Sequence, residues 1–179
     1  MSFYRTTPIV LLLSLAVSSA AAQDVEYRMK AVFLDKFTHF VQWPATSVVA
    51  DTSHPFIVGV IGNSPFGSDL EGMYAERRVK DKAVEIRYFN DLDGIDKCNL
   101  LFIAHSSAER FASIVALTRD KPILTVSDTK GLAERGVLIN FYRHDGKVKF
   151  EINERAVHES GLTFSYLLLN LARIINPLR

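Results

Sequence analysis

Cysteine is almost missing from the sequence: Cys98 stands alone among 179 residues. One thiol excludes a disulfide framework and a cysteine-rich zinc module, and in an oxidising compartment it can pair only with another chain. Proline and glycine are sparse, at 6 and 9 residues, so no low-complexity linker divides the chain. An excess of one charge is lacking too. The 21 Lys and Arg face 20 Asp and Glu, without the basic surplus that builds a nucleic-acid-binding face. Nor is there an uninterrupted apolar run of about 20 residues, the length a membrane-spanning helix requires. What is present is 48% hydrophobic and 23% charged residues, the proportions of one globular domain.

The start of the chain reads as a secretory leader. Arg5 supplies the positive end, Ile9 to Val17 the apolar stretch, and Ala20-Ala21-Ala22 the small side chains that a signal peptidase accepts. Cleavage is expected between Ala22 and Gln23, which makes residues 1–22 a signal peptide and 23–179 the mature domain. The alternative, an uncleaved anchor, is opposed by Ser18-Ser19 and by the charges of Asp24 and Glu26. Losing Arg5 with the leader leaves 20 basic and 20 acidic groups. Export from a bacterial cytoplasm withholds ATP, GTP and nicotinamide cofactors, so no cofactor is expected.

Along the mature chain, Met29, Val32, Phe33, Phe37, Phe40 and Val41 recur at spacings of three and four, predicting an amphipathic helix from Glu26 to Gln42 that Pro44 stops. Strands are expected in the run His54–Gly62 and at Ala83–Phe89, Leu100–Ala104 and Pro122–Val126, alternating with helices that carry Leu70 and Met73, then Phe111, Ile114, Val115 and Leu117. A short helix is expected near Lys130 to Glu134. Val137–Tyr142 and Lys147–Ile152 then form a hairpin, with Val148, Phe150 and Ile152 on one face and Lys147, Lys149 and Glu151 on a wet one. Asn153 and Glu154 start a last helix. Its leucines and isoleucines, from Leu162 to Ile175, surround so much of the circumference that the helix is expected to be long and packed between neighbours. These elements predict a single α/β domain: a mostly parallel sheet covered by helices on both faces, closed by a C-terminal hairpin and a long apolar helix.

Ligands of an open parallel sheet bind beyond the carboxyl ends of its strands, where this chain places Asn63-Ser64, His105-Ser106 and Ser127-Asp128. These six residues either line a pocket or cap helices, since Ser, Asn and Asp do both. The glycines from Gly59 to Gly67 match neither the dinucleotide nor the P-loop spacing. Ser106 or Ser127 with His105 and Asp128 makes a hydrolytic triad only on paper, because no serine has the flanking glycines of a nucleophile elbow. The five histidines are scattered without metal-ligand spacing. No catalytic and no metal residue is therefore assigned. Two aromatics lie in turns, Trp43 beside Pro44 and Phe66 between Pro65 and Gly67. Each either closes the core or anchors a partner.

Five blocks in order carry a resemblance. Tyr27-Arg28-Met29-Lys30-Ala31-Val32-Phe33-Leu34 with Val41-Gln42-Trp43-Pro44, Val58-Gly59-Val60-Ile61-Gly62 with Pro65-Phe66-Gly67, Cys98-Asn99-Leu100-Leu101-Phe102-Ile103, Leu124-Thr125-Val126-Ser127-Asp128, and Phe150-Glu151-Ile152-Asn153 with Gly161-Leu162 and Ser165 together resemble the YfiR-like family of periplasmic regulators. The resemblance implies a non-enzymatic binding protein. Its partner would be the periplasmic sensor region of an inner-membrane diguanylate cyclase, held inactive so that cyclic di-GMP and biofilm formation stay low. It also implies relief by an OmpA-like outer-membrane lipoprotein, and a homodimer. A small-molecule sensor acting on a two-component sensor kinase is the alternative. The chain departs from the family at Cys98, which has no partner for an intramolecular disulfide, and at the glycine-poor Arg143-His144-Asp145 turn.

Overall fold

Every side chain of Leu100–Ile103 and Leu124–Ser127 is buried, as is nearly all of Phe56–Ile61, the signature of strands covered on both faces. A computed structural model of the protein describes the backbone of residues 9–176 and the side chains of residues 23–176. The side chains of the expected leader and residues 177–179 lie outside that description. Helix α1 is Ile9–Phe40, and β1 (Val41–Gln42) follows it directly. Then come β2 (Phe56–Ile61), α2 (Asp69–Tyr74), β3 (Arg78–Val79), β4 (Lys82–Phe89), β5 (Leu100–Ile103), α3 (Phe111–Thr118) and β6 (Leu124–Ser127). The chain ends with β7 (Ile139–His144), β8 (Lys147–Asn153), α4 (Glu154–Ser160), β9 (Thr163–Phe164), α5 (Tyr166–Leu171) and β10 (Arg173–Ile175). Among the described residues no helix is long and apolar enough to cross a membrane.

Eight strands form one sheet in the order β10-β8-β7-β6-β5-β2-β4-β3, while β1 and β9 make a separate antiparallel pair. The large sheet is mixed. Strands β4, β2, β5, β6 and β7 are mutually parallel, β8 and β3 join antiparallel to β7 and β4, and β10 runs parallel to β8. Within the parallel block the chain leaves β2 for β4 on one side and returns to β5 on the other, so the topological switch lies between β2 and β5.

Strand alternation divides the interior into two cores. Phe56, Val58, Val60, Leu100, Phe102, Leu124, Val126, Phe141 and Phe150 point toward α1, where they meet Leu34 and Phe37. Ile61, Leu101 and Ile103 point the other way and meet Phe111, Ile114 and Val115 of α3. The expected two-faced cover is therefore present, and the first strands sit close to their predicted bounds.

Four expectations change. The helix expected near Lys130 to Glu134 is a run of turns. The hairpin turn is tighter than read: only Asp145 and Gly146 lie outside the strands, at φ 51° and 71°, the two positive angles of a type I′ turn. Its outer face is not uniformly wet, because β10 aligns Arg173 with Glu151 and covers that carboxylate. Most consequential, the single long apolar helix at the end does not form. Gly161, left-handed at φ 71°, ends α4; Ser165 starts α5 by accepting a hydrogen bond from the Leu168 amide; and Ala172 turns extended into β10.

Tyr74, at the end of α2, is buried with a hydroxyl that has no hydrogen-bond partner. Leaving such a group unpaired costs the folded state its desolvation. Tyr74→Phe is expected to leave the fold intact and raise its unfolding free energy by about 1 kcal/mol, as read by urea denaturation. A loss of stability of similar size would show that the hydroxyl is bonded after all.

Candidate functional site

The carboxyl ends of the parallel strands were the expected pocket, and the structure divides the six residues placed there. At the switch point itself there is no room. The Asn63 amide donates to Ser106 Oγ at 2.8 Å, and a Cβ on Gly62, at φ 93°, would lie 2.5 Å from the hydroxyl oxygens of both Ser106 and Ser107. Ser64 Oγ accepts from the Phe66 amide. Ser127 is fully buried: its hydroxyl donates to the Ile103 carbonyl at 2.8 Å and accepts from the Thr129 amide. The hydroxyls of Ser64, Ser106 and Ser127 thus serve backbone groups, as caps do, whereas Asn63 takes part through its backbone amide and is exposed. Ser127 Oγ is thus engaged away from His105, whose Nδ1 faces Thr129 Oγ1 at 3.4 Å, so the paper triad is not assembled. Among the described residues no group of three or more His, Cys, Asp or Glu side chains is placed to hold a metal ion.

His105 and Asp128 do line a cavity, of about 400 Å³, beyond β5, β6 and β7. Its other walls come from Glu26, Tyr27 and Lys30 of α1 and from Tyr142 and Arg143 of β7. Lys30 is buried at 4% exposure, yet its ammonium lies 2.7 Å from the Glu26 carboxylate and 2.7 Å from Asp128, and 4.2 Å over the Tyr27 ring. Arg143 adds a contact to Glu26 at 3.0 Å. Two cations and two carboxylates therefore balance in one cluster that joins α1 to the strand ends. Burial first, then the neighbouring Asp128 and Glu26 charges, hold the Tyr27 phenol above its ordinary range. The phenol stays a proton donor.

A second cavity of about 500 Å³ shares Asp128, Tyr142 and Arg143 with the first and continues past Lys130 and Glu134 to β8 and β10. Its floor is Asn140 and Glu151, both buried. Arg173 holds Glu151 through Nε at 3.0 Å and lies 4.3 Å over the Tyr142 ring, while Asn140 Nδ2 donates to Glu151 at 3.2 Å. Asn140 Oδ1 is left buried without a partner.

The aromatics in turns separate as well. Phe66 is a core residue at 2% exposure, edge-on to Phe102 at 4.7 Å and to Tyr27 at 5.7 Å, so it has no free face to offer a partner. Trp43 is half-buried and edge-on to Phe56 at 5.3 Å, with Lys80 near its outer side. The exposed apolar surface lies elsewhere. Tyr166 at 75%, Leu167 at 64% and Leu171 at 75% project from α5, next to Ile174 of β10, and Met29 and Val32 are exposed on α1, against which α5 packs. The apolar exposure gathered on α5 is of the kind that marks interaction surfaces.

A family model described as YfiR/HmsC-like matches residues 27–173. The chain belongs to the YfiR/HmsC-like family. The matched span opens at Tyr27 and closes at Arg173, so it holds α5, the second cavity, and the first cavity apart from Gln23 and Glu26. No curated protein matches the chain. Among solved structures, that of the ABC domain in complex with L-Trp from Streptococcus pneumonia is similar with a TM-score of 0.52 at 15% identity, over 79% of this chain and 61% of that one. The chain thus spans less than two thirds of that protein, and at such identity the likeness is one of fold.

Sequence reading missed Lys30, Tyr27, Glu26 and Arg143 as wall residues. Lys30 did leave a signal: it precedes Leu34 and Phe37 at spacings of four and three, in register with the apolar stripe, where an ammonium needs a buried anion. Lys30→Met is expected to cost about 3 kcal/mol, because Asp128 loses its cation and Glu26 one of its two. Asp128→Asn in that background should recover part of the loss; urea titrations of the single and double variants measure both. Tyr27 also sets an alkaline limit. Its folded pKa exceeds its unfolded value of about 10, so its contribution is complete below that pH and is lost as pH rises beyond it. Urea midpoints should therefore fall above about pH 10, and Tyr27→Phe should flatten the decline.

Proposed function

We propose that this YfiR/HmsC-like protein is a periplasmic regulatory binding protein that represses an inner-membrane diguanylate cyclase by docking on the cyclase's periplasmic sensor region. Family membership over residues 27–173 is the observation that carries the reading. The exposed side chains of Tyr166, Leu167 and Leu171 support it by offering a surface. On this reading the chain is exported, cut between Ala22 and Gln23, and works with 20 basic and 20 acidic groups. A neutral chain has little long-range field to steer a partner, so affinity rests on apolar contact. Cleavage leaves the new amino terminus, Gln23, at the edge of the 400 Å³ cavity. An OmpA-like outer-membrane lipoprotein would relieve repression by competing for the protein, and a homodimer is part of the same scheme.

A second reading, a small-molecule sensor acting on a two-component sensor kinase, has one observation in its favour: the buried, unpartnered Asn140 Oδ1 at the floor of the 500 Å³ cavity. The two readings diverge in cells. Deletion of the gene should raise cyclic di-GMP and biofilm formation when the diguanylate cyclases of the host are intact, and unchanged cyclic di-GMP sinks the repressor. The surface has its own test. Tyr166→Ala with Leu171→Ala should lower repression at an unchanged melting temperature, since truncating a central interface aromatic costs on the order of 2 kcal/mol, about thirtyfold in affinity. Trp43→Ala, assayed alongside, is expected to lower the melting temperature first. If instead Trp43→Ala removes repression with stability intact while the α5 double variant represses normally, the docking face lies at the end of α1.

A further inference from the structure

Another recess lies at the opposite end of the sheet from Asp128. It measures about 560 Å³ and opens at the amino ends of β2, β5 and β6, beneath the segment that links β1 to β2. Its apolar lining is Val48, Pro55, Ile57, Cys98, Pro122 and Ile123, with the polar Thr46, His54 and Asn99 beside them. Burial pushes the Cys98 thiol up to about 12, so this wall carries no charge at neutral pH. The covering segment is fixed in place. Buried Lys82 donates to the Val48 carbonyl at 2.7 Å and the Val49 carbonyl at 3.3 Å, and Ser47 amide donates to the Pro44 carbonyl at 2.9 Å. Ser47 lines the recess, and its Oγ is buried without a hydrogen-bond partner.

The rim is charged and predominantly basic. Arg87, Lys97 and Lys121 face a single acid, Asp96. Lys121 is engaged with Asp96 at 2.9 Å and Arg87 with Glu85 at 2.6 Å. Lys97 has no ion pair among the described residues, and it is exposed at the mouth. A preformed apolar recess of several hundred Å³ with a few polar groups at its edge is the usual form of a small-molecule site. An apolar floor with a cationic mouth selects a matching ligand: a hydrocarbon or aromatic body that fills the floor, and an anionic head that meets Lys97.

We propose that this recess binds small amphipathic carboxylates, medium-chain fatty acids being the simplest members of the class. The site is separate from α5 and from the cavities at Asp128, and it stands whether or not the protein represses a cyclase.

Octanoate is the probe, with octanol and octylammonium as head-group controls, followed in amide NMR spectra of the labelled protein. Octanoate should shift the amides of Ser47, Ile57, Asn99 and Ile123 saturably, and octylammonium should bind more weakly. Lys97→Glu, at an exposed position that the fold does not use, should weaken octanoate about tenfold, and Val48→Glu at the same mouth should act in the same direction. The proposal is overturned by shifts that centre on Tyr166 to Leu171, by shifts that never saturate, by equal binding of octylammonium, or by undiminished octanoate affinity in both variants.

Discussion

Phe37 sits between Phe141, with ring centroids 5.7 Å apart, and Phe150, at 5.0 Å, and Phe33 stacks on it at 5.9 Å. This aromatic contact ties the first helix to the last hairpin across one face of the sheet. Aromatic side chains bury large areas, and each such pair adds roughly 1 kcal/mol beyond its area. Much else follows from where it holds α1. One side of the helix is committed to the core through Ala31, Leu34 and Phe37, so Lys30, two turns before Phe37, is carried to the strand ends and must find Asp128. Asp35, on the next turn, is likewise buried and takes Arg77 at 2.9 Å.

The same docking determines what the end of the chain can do. Because α1 runs straight into β1, Val41 and Gln42 pair with Phe164 and Thr163 of β9. That pairing interrupts the apolar C-terminal segment between α4 and α5. Leu162, Phe164 and Leu168 enter the core, whereas Tyr166, Leu167 and Leu171 remain outside. The apolar surplus of the last segment thus becomes a surface.

Buried charge follows one rule throughout. Lys30, Lys82 and Glu151 are each compensated by a specific partner: carboxylates for Lys30, backbone carbonyls for Lys82, and Arg173 for Glu151. An ionised group withdrawn from water without such a partner costs several kcal/mol. These three contacts therefore hold the helix, the segment over the basic-rimmed recess and the edge strand in single positions. Both ends of the sheet owe their cavities to them.

Much of this was legible in the residues. Alternation and β-branched runs located β2, β4, β5 and β6, helical spacing located the described half of α1, and the order of strands and helices implied a sheet covered on both faces. Asn153 capping α4 and the Asp145-Gly146 turn are local chemistry, decided within a few residues. Of the six pocket residues, His105 and Asp128 reach a cavity, the hydroxyls of Ser64, Ser106 and Ser127 are consumed by hydrogen bonds with the backbone, and Asn63 stays exposed. The same small polar side chains serve either purpose, and only their neighbours choose. Phe66 went to the core and Leu171 to the surface for a related reason. Hydrophobic burial is non-directional, so periodicity states how much of an element is apolar but not which other element arrives to cover it. The sequence alone determined the class of fold and the local elements; the tertiary structure decided which apolar side chains stayed exposed and which charges met, because both depend on contacts between residues far apart in the chain.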